Sequence, residues 1–267
     1  MLKLLKEYIS IKSLAGDEVE NRKALDFLVK LFDEIDFTTT VEGYSPHYQP
    51  TLIAKYLNPN SSKKVVLYSH YDVEKIDKKK WIIDNPFEME EVNGRLYGRG
   101  IADNKGIFIA RYTAIKSMIE KGEEIPSILW LIQGEEEVGG LAPFEVFPKY
   151  ISEFNAKLFV EETAYHNRGR QLLLSLPKGD STFIKELSEK VLNSPLIENR
   201  HLNKFFLAGK CPFLENIPKD ALYIGFGPND QDSNIHRDNE SLDKELLLQH
   251  LQQFQSFLKF ILECNEI

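Results

Sequence analysis

The chain has 267 residues, 42% of them hydrophobic and 28% charged, with a formal net charge of −8. That length and balance suit one large globular domain, or two small ones, with a sizeable buried core. An acidic chain without clustered Lys and Arg argues against a nucleic-acid surface, and no apolar run approaches the roughly 20 residues a membrane span needs.

The chain opens on Met1–Tyr8, which is amphipathic and charged and has neither an apolar core nor a cleavage site, so it does not read as a signal peptide. The two cysteines, Cys211 and Cys264, form no CxxC pair. They build neither a disulfide framework nor a zinc knuckle, and a reducing, cytoplasmic setting is expected. From Asp17 to Asp36, Leu25, Leu28, Leu31, Phe32 and Ile35 recur at helical spacing, with Asp17 as N-cap. Short β-rich runs follow at Thr51–Leu57, Lys64–Ser69, Ser127–Gln133 and Lys157–Val160. A helix is predicted over Asn104–Lys121, ended by Gly122. Later come a strand over Gln171–Leu176, a helix over Asp180–Asn193 and a strand over Ala221–Phe226. A long helix over Ser241–Glu263 places Leu247, Leu251, Phe254, Leu258 and Ile261 on one face. The Lys78-Lys79-Lys80 run reads as a solvated loop. Strand, helix, strand in this rhythm predicts βαβ units, a sheet with a parallel centre and a single α/β domain.

Five separated patches put a His or a carboxylate after such runs, where a parallel sheet presents ligands at its carboxyl ends. His70 and Asp72 flank Tyr71, and alternation sets them on one side of the chain. A neutral imidazole suits zinc, and a carboxylate two residues on suits fixing its tautomer. Asp103 follows Gly98-Arg99-Gly100-Ile101-Ala102 and precedes Asn104-Lys105-Gly106. It reads either as a helix N-cap or as a carboxylate able to bridge two cations. Glu135, Glu136 and Glu137 end the run Ile128–Ile132, and three crowded acids are costly without cations. One suits a ligand and the next a general base. Glu161 and Glu162 end another apolar run, and His236 follows Gly227-Pro228 in a polar loop.

Taken together, Ser69-His70-Tyr71-Asp72-Val73, Asp84-Asn85-Pro86-Phe87, Gly94–Gly100, Asp103-Asn104-Lys105-Gly106 and Glu136-Glu137-Val138-Gly139-Gly140 carry a family resemblance. Glu162-Thr163 and Gly225-Phe226-Gly227-Pro228 through His236 to Asn239-Glu240 complete it. The chain resembles the two-zinc hydrolases that include acetylornithine deacetylase, succinyl-diaminopimelate desuccinylase, aminoacylases, carnosinases and glutamate carboxypeptidase. The resemblance implies a three-layer αβα sandwich with a mixed, centrally parallel sheet. It implies two Zn2+ ions, with Co2+ or Mn2+ as alternatives. His70 and Glu162 would bind one ion, Glu137 and His236 the other, and Asp103 both. Glu136 would be the general base and Asp72 the partner of His70. Glu135 and Glu161 are the alternatives to Glu136 and Glu162. The family also implies a cis peptide after the bridging Asp103.

The chain departs from that family in one respect. Members carry an inserted lid and dimerisation domain between the last two patches, whereas only 73 residues separate Glu162 from His236 here. The insertion is expected to be missing at Pro177–Asp180, leaving an open site and a monomer or an oligomer of another type. Arg168, Arg170 and Arg237 are candidates for holding a substrate carboxylate. The expected activity is hydrolysis of an amide bond in an N-acyl amino acid or small peptide. The alternatives are a single-domain zinc aminopeptidase and a metal-binding relic with little turnover.

Overall fold

The computed structural model describes residues 1–43, 49–76, 80–176, 181–200, 214 and 216–267. The chain begins with α1 (Leu2–Ser10) and α2 (Glu18–Asp33). Asp17 caps α2 as the sequence predicts, its carboxylate accepting from the Glu20 N–H at 3.1 Å. Next come β1 (Thr38–Glu42), β2 (Thr51–Tyr56), β3 (Lys64–His70), β4 (Glu90–Val92) and β5 (Arg95–Tyr97). A π-helical turn, Ile101–Lys105, leads into α3 (Gly106–Glu120). The middle of the chain supplies β6 (Ser127–Gln133), α4 (Ala142–Glu145), α5 (Phe147–Phe154), β7 (Leu158–Val160), β8 (His166–Asn167) and β9 (Arg170–Leu176). It closes with α6 (Thr182–Lys190), β10 (Leu196–Asn199), β11 (Leu222–Gly225), β12 (Ser241–Asp243) and α7 (Lys244–Glu263).

The main sheet runs β1-β2-β6-β3-β7-β11-β9-β10, with β8 paired to β9. Its centre is parallel: β6, β3, β7 and β11 point the same way. The flanks turn antiparallel at β2 and β9. This is the mixed, centrally parallel sheet expected from the βαβ rhythm. Strand alternation sorts the core into two layers. Val65, Leu67, Ile128, Trp130, Ile132, Val160 and Ile224 share a core with residues of α2, α3 and α7. Val66, Tyr68, Leu129, Leu131, Phe159 and Tyr223 pack with Ala142, Phe147, Ile151 and Phe154 of α4 and α5. Trp130 anchors the thicker layer, its ring 4.6 Å from Phe108 and 5.5 Å from Phe32. Its indole N–H is satisfied by Ser69 Oγ at 3.0 Å, as a buried Trp requires.

Three expectations are corrected. Ser241–Asp243 is not helical: it forms β12, which joins β5 and β4 in a separate three-stranded antiparallel sheet. Side-chain periodicity could not reveal this, because Ser241 and Leu242 are buried by pairing with Tyr97 and Leu96 far away in sequence. The helix predicted from Asn104 starts at Gly106, and Asp103 is not its N-cap, since Asp103 and Asn104 have non-helical dihedrals. The helix expected over Asp180–Asn193 is shortened to α6, capped by Ser181. The expected site of the missing insertion, Pro177–Asp180, and Cys211, Lys78 and Lys79 lie outside the described residues.

Gly106 is required where the π-helical turn meets α3. A Cβ there would press on the Ile101 carbonyl oxygen well inside contact distance and stand 2.7 Å from Leu242 Cδ1. Gly106→Ala is therefore expected to destabilise the fold by about 1–3 kcal/mol, read as a shift in the denaturation midpoint. An unshifted midpoint would mean the turn has room to give.

Candidate metal centre

His70 is the last residue of β3, so the strand end points its ring into the cleft. Its Nδ1 lies 3.0 Å from the Asp72 carbonyl oxygen and 3.4 Å from Asp72 Oδ1. A carbonyl only accepts, so Nδ1 carries the proton and Nε2 faces the site. Nε2 stands 3.0 Å from Asp103 Oδ1 and 3.8 Å from Glu162 Oε2. The partner of the ring is thus chiefly the main chain of Asp72 rather than its carboxylate. The carboxylate oxygens Oδ1 and Oδ2 instead accept from the Glu136 and Glu137 N–H groups, each at 3.1 Å. Asp72 therefore ties the loop after β6 to the end of β3.

Asp103 does not follow a strand of the main sheet, contrary to the strand-end rule. It sits in the π-helical turn, and its peptide bond to Asn104 is cis, as the resemblance implies. The turn is assembled around the buried carboxylate of Glu240. Glu240 Oε2 accepts from Gly100 N–H at 2.8 Å and Arg99 Nη1 at 2.9 Å, and Oε1 from Ala102 and Asp103 N–H at 2.9 and 3.1 Å. So held, Asp103 turns Oδ1 to His70 and Oδ2 to His236 Nε2, at 3.0 and 3.3 Å.

Glu137 completes the other side. The Glu74 N–H donates to its Oε1 at 3.0 Å, and its Oε2 lies 2.9 Å from His236 Nε2 without hydrogen-bond alignment. His236 reaches the cluster from a left-handed position, φ 62°, in the loop after β11. Two sets of ligand atoms lie within 4.8 Å of one another: His70, Asp103 and Glu137, and Glu74, Glu137 and His236. Glu162 approaches His70 and takes a hydrogen bond from Asn104 Nδ2 at 3.1 Å. Glu161 is turned away: its carboxylate is buried against Arg200 Nε at 3.0 and 3.2 Å. Arg168 and Arg170 stand exposed in the β8–β9 hairpin and join none of these groups. Arg237 is exposed beside His236.

The electrostatics follow from burial and crowding. Burial opposes a charged His70, yet Glu162, Asp103 and Asp72 outweigh it and hold its pKa well above the ordinary value. The adjacent carboxylates of Asp103 and Glu137 push His236 up to about 11. Burial would raise Asp103, but His236 and His70 hold it far below the usual carboxylate range. Burial pushes Glu137 up to about 7 and raises Glu136 as well, with His70, Asp103, Asp72 and His236 all acting on Glu136. The raised Glu136 and Glu137 mark a crowding of carboxylates that cations between them would relieve.

Two residues beyond the sequence reading belong to this arrangement. Glu240 lies in a quoted motif, but the role it plays depends on contacts about 140 positions away. Glu74 follows the His70 patch with no apolar pattern to set it apart.

The family model described as peptidase family M20/M25/M40 matches residues 66–259. The Beta-Ala-His dipeptidase of Rattus norvegicus is 28% identical over 157 residues, covering 58% of this chain and 31% of that protein. The Cys-Gly metallodipeptidase dug1 of Schizosaccharomyces pombe is 29% identical over 148 residues, 51% of this chain and 31% of that protein. The chain thus spans about a third of the length of these curated relatives. Human carnosine dipeptidase 1 shares the fold with a TM-score of 0.73 at 14% identity, over 98% of this chain and 97% of that one. The di-peptidase Dug1p of Saccharomyces cerevisiae does so with a TM-score of 0.75 at 12% identity, over 99% and 96%. The match over residues 66–259 decides the matter: this chain belongs to peptidase family M20/M25/M40.

Proposed function

We propose that the chain is a metal-dependent peptidase that hydrolyses the amide bond of a dipeptide or similarly small N-acyl amino acid. The observation that carries this is the division of the Asp103 carboxylate, one oxygen toward His70 and the other toward His236. The donor set fits two zinc ions: two imidazoles and several carboxylates, with a buried Glu137 oxygen that no hydrogen bond claims. His70 and Glu162 would hold one ion, Glu137 and His236 the other, and Asp103 would bridge them. Zinc held there supplies Lewis acidity, which polarises the scissile carbonyl and acidifies water. Glu136 takes the proton of the attacking water and delivers it to the leaving nitrogen. Asp72 fixes the main chain of Glu136 and Glu137, so base and ligand keep their spacing. The dipeptidase names of the relatives favour small peptides over acetylated amino acids.

The same reading takes the chain as one catalytic unit without an inserted lid. The described part of the span between Glu162 and His236 is taken up by β8, β9, α6, β10 and β11. Among the described residues no helix is long and apolar enough to cross a membrane. The test is a panel of β-alanyl-histidine, cysteinylglycine, N-acetyl amino acids and aminoacyl anilides with zinc-, cobalt- or manganese-reconstituted protein. Turnover of the dipeptides supports the reading. Turnover of the anilides alone would replace it with an aminopeptidase, and turnover of none with a metal-binding relic.

Loading zinc should also release protons. In chelator-treated protein His236 holds a proton at pH 8 that ligation must expel, and His70 is shifted in the same direction. Net proton release on loading is therefore expected, and affinity should fall as pH falls. Near pH 7 Glu137 adds a further fraction. Calorimetry in two buffers of different ionisation enthalpy reads the release, and buffer-independent heats would refute it.

A further inference from the structure

Beside the cluster lies a second cavity, about 320 Å³, between the segment after Glu162 and the loop that carries His236. Its walls include His166, Asp230, Asn234 and Arg237. Three features give it a chemistry. His166 is 93% buried, and its Nδ1 has no hydrogen-bond partner among the described residues. A buried ring nitrogen left without a partner costs free energy unless something supplies one. Burial also lowers the pKa of His166, so the ring is neutral at pH 7 and can donate from Nδ1. Arg237 is exposed and in no ion pair among the described residues. The acid in the wall, Asp230, is already neutralised: Arg95 Nη1 and Nη2 grip its two oxygens at 2.7 and 3.0 Å, and the Ser233 hydroxyl donates to it as well. What remains uncommitted is one cation and one imidazole; Asn234 Nδ2 already donates to the Asn239 carbonyl oxygen at 3.4 Å.

We infer that this cavity seats the free carboxylate of the substrate, with Arg237 as its cation and His166 as a hydrogen-bond donor. The inference rests on the peptidase reading and adds its polarity. The amide to be cut lies over His70, Asp103 and His236, and the carboxylate end lies toward Arg237. Arg237 and His236 are consecutive, and Tyr165-His166 follows Glu162 by three residues, so both walls of the cavity belong to segments that also carry a candidate ligand. A cavity of this volume takes one residue and excludes a long chain, which selects dipeptides over larger peptides. The catalytic unit therefore carries its own carboxylate site and needs no inserted domain for that purpose.

The experiment compares glycyl-leucine with glycyl-leucinamide on zinc-loaded Glu136→Gln protein, by calorimetry, so that binding is read without turnover. The free acid is expected to bind about 10- to 100-fold tighter than the amide, the worth of a charge-assisted hydrogen bond. Arg237→Ala should collapse that gap, Arg237→Lys should restore part of it, and His166→Phe should narrow it. In the wild-type enzyme the loss in Arg237→Ala should fall on KM. Equal binding of acid and amide, or a gap that survives both Arg237→Ala and His166→Phe, overturns the inference, as does failure of the loaded protein to bind either. Wild-type hydrolysis of acid and amide at equal KM would overturn it while leaving the peptidase reading intact. Acid-selective binding by a protein without turnover would do the reverse.

Discussion

Glu136→Gln is expected to lower turnover by about 10²- to 10⁴-fold, the usual worth of a positioned general base, while leaving metal content at the wild-type value. The split between these two readouts follows from where Glu136 stands. Its main-chain N–H is pinned to Asp72 Oδ1 at 3.1 Å, a contact the substitution preserves. Its carboxylate joins neither candidate set of ligand atoms, yet it feels the charges of His70, Asp103 and His236. Burial raises its pKa, which brings a carboxylate closer to the operating range of a base that must also give its proton back. Zinc content by atomic absorption and kcat on the best dipeptide decide the matter. Wild-type turnover in the variant would remove Glu136 as the base. Loss of zinc together with turnover would make it a ligand instead. The neighbouring candidate, Glu135, is distinguished by direction: its Cβ lies beside Gly140, and its charge acts on the Tyr71 hydroxyl.

Much of this site was legible because strand ends are local features. A run such as Ile128–Gln133 announces both the strand and the place where it stops, so the acids that follow fall at the sheet's carboxyl edge. That rule singles out His70, the run Glu135–Glu137 and the pair Glu161–Glu162, while the resemblance picks Glu136 and Glu162 within them. The choice between Glu161 and Glu162 was not legible by that rule, because alternation flips one of them onto the far face, and only Arg200 shows which. Asp103 was legible by resemblance and not by physics. Its turn has no periodicity of its own and takes its shape from Glu240. The same holds for β12, whose three residues read as the first turn of a helix until β5 is placed beside them. Arg168, Arg170 and Arg237 look alike in sequence. Only Arg237 borders a cavity next to His236, and that depends on how the loop folds back.

Removing the Glu240 carboxylate should be the most damaging single change away from the cluster itself. Glu240→Ala leaves the buried main-chain N–H groups of Gly100 and Ala102 and the part-buried one of Asp103 without their acceptor, and removes the carboxylate partner of the Arg99 guanidinium. Arg99 and Glu240 side chains are 2% and 1% exposed, so water cannot take over. Breaking a buried pair from one side costs about 3–5 kcal/mol, a large part of a typical domain's stability. The turn also loses what orients Asp103, so both metals should bind more weakly, since Asp103 faces His70 and His236 at once. Glu240→Gln separates the two effects. It keeps one oxygen acceptor but loses the charge opposite Arg99, so it should fall between alanine and wild type. The double change Arg99→Met, Glu240→Gln should cost less than the sum of the single ones, because the cation that lost its partner is gone. Urea denaturation with and without zinc gives stability and metal coupling together. A Glu240→Ala protein with the wild-type midpoint and full zinc content would show that the turn holds Asp103 without this carboxylate.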